Sequence, residues 1–213
     1  REKYKQCIEN ENLSKRKVPA IEIMKRIMIS QLETGTPFMF YRDEVNRKNN
    51  NDHEGIIYCS NLCTEITQNQ SPTEFLQEYV KLDGTVVKEY KPGDYVVCNL
   101  SSINLGRAVP DDVLERLIPI QVRMLDNVID VNMLPLPQTT LTNQKYRAIG
   151  LGTFGWHHLL ALKGIEWESD EALKFADSLY ENIAYLTIKA SMELSKEKGS
   201  YPLFEGSKWA TGA

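Results

Sequence analysis

Residues 60–66 read SNLCTEI, and the path of this stretch decides what kind of protein the chain can be. An amide (Asn61), a thiol (Cys63) and a carboxylate (Glu65) stand two residues apart. In an extended chain successive side chains alternate faces. Asn61, Cys63 and Glu65 are therefore expected on one side, with Leu62 and Thr64 on the other. IIYC (56–59) leads in as more extended chain, and a second cysteine-bearing strand is expected at YVVC (95–98).

The chemistry of the trio follows from its charges. An acid close to a thiol disfavours the thiolate, so Cys63 is a poor candidate for a nucleophile. The histidines, His53, His157 and His158, are remote in sequence. A neutral thiol beside a carboxylate and an amide suits hydrogen-atom transfer at Cys63, with Glu65 moving a proton and Asn61 holding a hydroxyl. Cys98, on its own strand, suits the supply of reducing equivalents. Cys59 and Cys63 would lie about 13 Å apart in extended chain, too far for a disulfide. Cys7 and Cys59 read as structural or incidental thiols.

Outward from the trio, helices alternate with short strands, which argues an α/β fold. Apolar positions 18, 21, 24, 27, 28 and 32 predict a helix over 18–34 that stops at Gly35, and FMFY (38–41) reads as a short strand. NRKNNNDHEG (46–55) reads as a loop, and Asp83-Gly84 as the turn of a hairpin over 78–90. A helix is predicted over 111–130, with Asp111 and Asp112 in its first turn and a kink at Pro119. The longest helix is predicted from an N-cap at Ser169 to a stop at Gly199.

Composition narrows the classes. The 213 residues carry a net charge of −4, with 42% hydrophobic and 25% charged residues, as in a globular protein that buries a core. No basic face suggests nucleic acid, and no apolar run approaches the ~20 residues of a membrane span. Four cysteines without a secretory signal favour reduced thiols in a cytoplasmic setting. One domain is the expectation from length. The chain starts at Arg1 and stops at TGA (211–213), and reads as cut from something longer.

GLGTFG (150–155) matches G-x-G-x-x-G, the pattern by which dinucleotide-binding oxidoreductases bring backbone amides to a pyrophosphate. That fold requires a further strand after the following helix, and IEWESDEA (165–172) leaves no room for one. Close packing of small residues is the preferred explanation. His157 and His158 lack partners at metal spacing, so no metal site is expected.

The runs QLETGTPFMFYRDEVNRKNN, CSNLCTEI, VCNLSSINL, IDVNMLPLPQ, IGLGTFGWHH and KASMELSKEKGSYPLFEGSKWATG, in this order, resemble the large chain of class I ribonucleoside-diphosphate reductase. The resemblance implies a ten-stranded α/β barrel of two five-stranded halves. This chain would be a single segment (1–213) holding the radical-cysteine loop and part of the second half. It implies a substrate-facing stretch of Asn61, Leu62, Cys63, Thr64 and Glu65. Cys63 would be the thiyl radical, Glu65 the acid that takes the 3′-hydroxyl proton and Asn61 the amide that holds ribose hydroxyls. Cys98 would be one of the two reducing cysteines; its partner matches neither Cys7 nor Cys59.

The implied partners are a nucleoside diphosphate, a metal-containing small chain that supplies the radical, thioredoxin or glutaredoxin, further large-chain segments and a second copy. No cofactor is expected in this chain. The family's N-terminal activity domain, allosteric ATP/dNTP sites and C-terminal tail have no counterpart here, so the segment alone is expected to be inactive. The adenosylcobalamin-dependent class shares a Cys-x-Glu-Ile loop and stands as the alternative within the family. A non-catalytic interaction fragment is a third possibility.

Overall fold

Helical spacing becomes helix in the first stretch of the computed structural model, which describes residues 2–212. One compact unit reaches to Phe40 and a second begins at Tyr41. The first holds α1 (Glu2–Glu9) and α2 (Ala20–Thr34). α2 ends as predicted: Gly35 adopts φ 75°, a left-handed conformation that costs glycine little, and its amide donates to the Gln31 carbonyl. FMFY is not a strand. Among the described residues no neighbouring strand offers its backbone a ladder, and the preceding carbonyls of Thr36 and Pro37 accept instead from Ser30 Oγ and Gln31 Nε2.

The second unit starts with α3 (Arg42–Arg47), a short helix that extends into the run read as loop. Arg47 pairs with Glu44 one turn earlier. The predicted hairpin is present: β1 (Glu74–Val80) runs antiparallel to β2 (Val86–Lys91). Gly84 takes φ 83° at the turn between them. The hairpin stands clear of the core, with every residue of β1 exposed.

The remaining elements are β3 (Leu100–Asn104), α4 (Leu105–Ala108), α5 (Leu114–Val131), α6 (Pro137–Tyr146), β4 (Gly150–Phe154), α7 (Trp156–Lys163), α8 (Asp170–Lys198) and α9 (Lys208–Thr211). β3 and β4 pair in parallel, from Leu100 opposite Gly150 to Asn104 opposite Phe154. Parallel neighbours need a crossover, supplied here by α4 to α6, and this βαβ unit bears out the α/β expectation.

Two boundaries differ from prediction. YVVC is not a strand; pairing starts at Leu100, because the backbone of 95–97 is engaged by the Thr142 and Gln68 side chains. Asp111 and Asp112 precede α5 rather than opening it, since Asp112 sits at φ 49°. Pro119 lies within α5 without ending it. GLGTFG, read as small residues in close packing, is mostly strand β4. A Cβ on Gly150 would fall 2.5 Å from Leu100 Cδ2, so the glycine permits the close approach of β3.

The core lies where β3 meets α5, α7 and α8. Ile118 and Val122 of α5 pack with Ile103, Leu105, Leu159, Leu179, Ile183 and Leu186. Leu105 and Leu159 expose none of their surface, and each such burial contributes about 1.5–3 kcal/mol. Ser169 Oγ caps α8 by accepting from Ala172 N–H. No helix among the described residues is long and apolar enough to cross a membrane.

Candidate functional site

The SNLCTEI stretch is a turn, not an extended strand, which corrects the alternation expected for it. Thr64 N–H donates to the Asn61 carbonyl (3.3 Å) and Thr64 adopts φ 67°. Asn61 is also the reason the chain bends there, since its Oδ1 accepts from Ile66 N–H at 3.0 Å, a side-chain closure that competes with a sheet ladder. Ser60 Oγ and Thr64 Oγ1 take up the Asn61 and Cys63 carbonyls. IIYC likewise contributes one isolated bridge, Ile56 to Gln70, instead of a strand.

The turn nevertheless brings Asn61, Cys63 and Glu65 near Cys98. Cys98 lies just before β3, and the groups that act on its thiol are Glu65, Asn61 and Cys63. Surrounding protein atoms withhold water and push the Cys98 thiol up, and the Glu65 charge pushes it further. The Asn61 side chain works against both. The four predicted residues therefore share one neighbourhood. Leu62 points outward and is 85% exposed. All four cysteines are free thiols that solvent reaches.

Polar side chains that sequence reasoning passed over hold this neighbourhood in place. Gln68 Nε2 donates to the Val97 carbonyl, tying the thiol loop to the lead-in of Cys98. Asn99, next to Cys98, donates to Asn143 Oδ1 (2.7 Å) and the Ala148 carbonyl (3.2 Å), while its own carbonyl accepts from Gly150 N–H. Beneath the loop, buried Asn69 accepts from Asn49 (2.7 Å) and donates to the Asn51 carbonyl. Tyr146 bridges toward Asn69 and Asp94, and burial above all raises its hydroxyl to about 12. Lys145 pairs with Asp94. The signal for this support was the Asn-rich NRKNNN run, which reads as a solvated loop unless its amides are given partners.

The histidines lie elsewhere. His157 meets Trp167 edge-on (5.3 Å between ring centres), and the His53 and His158 rings lie against Gly206 and Gly106. The groups that act on the Cys98 thiol are an acid, an amide and a thiol. No group of three or more His, Cys, Asp or Glu among the described residues is placed to hold a metal ion. GLGTFG offers no phosphate cradle, because Gly150 to Phe154 are committed to the ladder with β3 and α7 is followed directly by α8. The dinucleotide reading falls with it.

A family model described as "Ribonucleotide reductase, barrel domain" matches residues 1–213. The chain belongs to the ribonucleotide reductase barrel family. It is 49% identical over 216 residues to a ribonucleoside-diphosphate reductase subunit alpha of Treponema pallidum, covering 99% of this chain and 26% of the relative. It is 36% identical over 246 residues to the subunit of that name from Helicobacter pylori, covering 99% of this chain and 31% of the relative. Among solved structures, a class Id ribonucleotide reductase alpha subunit of Actinobacillus ureae matches with TM-score 0.68 and 26% identity, over 87% of this chain and 34% of that one. The chain thus spans about a quarter to a third of the length of these reductases, and its parallel β3–β4 pair is consistent with a piece of the α/β barrel.

Proposed function

We propose that this chain is the radical-cysteine segment of a class I ribonucleoside-diphosphate reductase large chain, which makes deoxyribonucleotides for DNA synthesis. The observation that carries this is the convergence of Asn61, Cys63 and Glu65 on Cys98. The class Id neighbour supports class I over the cobalamin-dependent alternative.

The roles follow from the groups present. Cys63, as a thiyl radical, takes the hydrogen from C3′ of the ribose and becomes a thiol. Glu65 accepts the 3′-hydroxyl proton, and the 2′-hydroxyl takes a proton from the thiol pair of Cys98 and departs as water. The Asn61 amide holds the ribose hydroxyls, and its Oδ1 is already occupied by Ile66 N–H, which leaves the NH₂ for donation. Cys98 and a second thiol then deliver two electrons and the replacement hydrogen at C2′ and end as a disulfide, while Glu65 returns its proton to the 3′-oxygen. Cys63 then returns its hydrogen to C3′ and is a radical again. The raised Cys98 thiol suits this sequence, because a protonated thiol is the form that carries a hydrogen.

The partners proposed with this reading are a nucleoside diphosphate, a metal-containing small chain as the source of the radical, thioredoxin or glutaredoxin, and further large-chain segments. Four free thiols support a reducing, cytoplasmic setting. The test is turnover in a complete reductase carrying this segment, with the small chain, reductant and a nucleoside diphosphate. Cys63→Ser is expected to abolish deoxynucleotide formation while substrate binding remains. Stimulation by adenosylcobalamin without a small chain would move the assignment to the other class.

A further inference from the structure

Gln70 sits at the base of the thiol loop, and its side chain makes more contacts than an exposed glutamine needs. Its backbone forms the one bridge between the two legs of the loop, with Gln70 N–H donating to the Ile56 carbonyl at 3.1 Å. Beyond that bridge the legs separate and no further ladder forms. The Gln70 side chain then acts where the next rung would be. Its Oε1 accepts from Tyr58 N–H (3.2 Å), Cys59 N–H (3.0 Å) and the Cys59 thiol (3.5 Å). Its Nε2 donates to the Cys59 carbonyl at 3.0 Å. One primary amide thus replaces both halves of a backbone pair, the donor and the acceptor, which only an amide can do at this position.

The consequence falls on the turn above it. Asn61 closes the top of the loop onto Ile66, and Gln70 closes the bottom onto Cys59. Cys63 and Glu65 lie in the turn that the upper closure encloses, so both closures stand beneath them. The leg from Ile66 to Gln70 also carries Gln68, which reaches the Val97 carbonyl beside Cys98. A loop with a fixed base holds its thiol and acid at a set height over Cys98; a loop free to slide one residue would turn them away. We infer that Gln70 is the positioning residue of the thiol loop, a side-chain rung that sets where Cys63 and Glu65 stand relative to Cys98.

This inference rests on the proposed reading of the loop as catalytic, yet its test needs no turnover. In the full 213-residue chain, Gln70→Met keeps the length of the side chain and removes all four contacts. Hydrogen exchange at the Tyr58 and Cys59 amides is expected to quicken by about tenfold, the effect of one lost hydrogen bond each. The pH profile of Cys98 alkylation is expected to move down toward that of an ordinary thiol, because Glu65 and the protein atoms around the loop no longer press on it. Cys7, in the other unit, serves as the reference thiol. Gln70→Glu keeps the acceptor for both amides and is expected to restore their protection.

A folded Gln70→Met chain whose two amides and Cys98 profile match the parent overturns the inference, as does failure of Gln70→Glu to restore protection. If the Gln70 effects appear but Cys63→Ser leaves the complete reductase active, the clasp stands and the catalytic reading of the loop falls. If Cys63→Ser is inactive while Gln70→Met changes nothing, the reverse holds.

Discussion

The Cys98 thiol is held above its ordinary range first by the water it has lost and then by the charge of Glu65. Removing that charge has a defined sign. In Glu65→Gln the Coulombic repulsion of the thiolate disappears, so Cys98 should titrate lower and react faster with iodoacetamide at any pH between neutrality and its parent value. Mass spectrometry of the alkylated peptide against pH reads this directly; an unchanged or upward-shifted profile would mean that Glu65 does not face Cys98. The same substitution in a complete reductase should lower kcat by a factor on the order of 10²–10⁴, as expected for a lost acid–base group. The chemical grouping was legible in the sequence because residue type carries it. Its geometry was not. Alternation assumes that backbone amides find a ladder, and here the Asn61 side chain takes the Ile66 amide instead.

At the scale of elements, patterns that depend on neighbours in sequence were readable. α2, α8 with its Ser169 cap, and the Asp83-Gly84 hairpin all follow from local spacing and turn chemistry. Elements that depend on distant partners were misplaced. β3 starts at Leu100 because β4 lies beside it, and β4 itself hides inside a glycine pattern that resembles a dinucleotide fingerprint. Gly155, between β4 and α7, takes φ 76°, and a Cβ there would come within 3.2 Å of Asn104 Oδ1. Gly155→Ala should therefore destabilise the second unit by about 1–2 kcal/mol, the cost of a left-handed conformation for an L-residue. Thermal unfolding by circular dichroism checks this, and a midpoint equal to the parent's would show the position to be unconstrained. Ser169→Ala removes the acceptor of Ala172 N–H and should cost about 1 kcal/mol in the same measurement.

At the scale of the whole molecule, the α/β class followed from alternating helices and strands, and the family from the order of short runs along most of the chain. The buried amide system of Asn49, Asn69, Asn99 and Asn143 could not be read in advance. Asparagine is a turn former by propensity, and only a fold shows which amides are paired and which face water. The site also bounds what the 213 residues can do alone. In the proposed mechanism Cys98 works with a second reducing thiol, and the thiol that acts on it here is Cys63, which that mechanism already occupies. The isolated chain with small chain, thioredoxin and nucleoside diphosphate should therefore form no deoxynucleotide, and measurable product would contradict this.

The most direct test is a turnover measurement on a complete reductase that carries this segment, with Cys63 replaced by serine. Serine keeps the size and hydrogen bonding of the side chain but does not yield the hydrogen-abstracting sulfur radical. The account predicts no deoxynucleotide above background, with nucleoside diphosphate still bound. Turnover at the parent rate would contradict the assignment of Cys63 as the residue that starts the reaction.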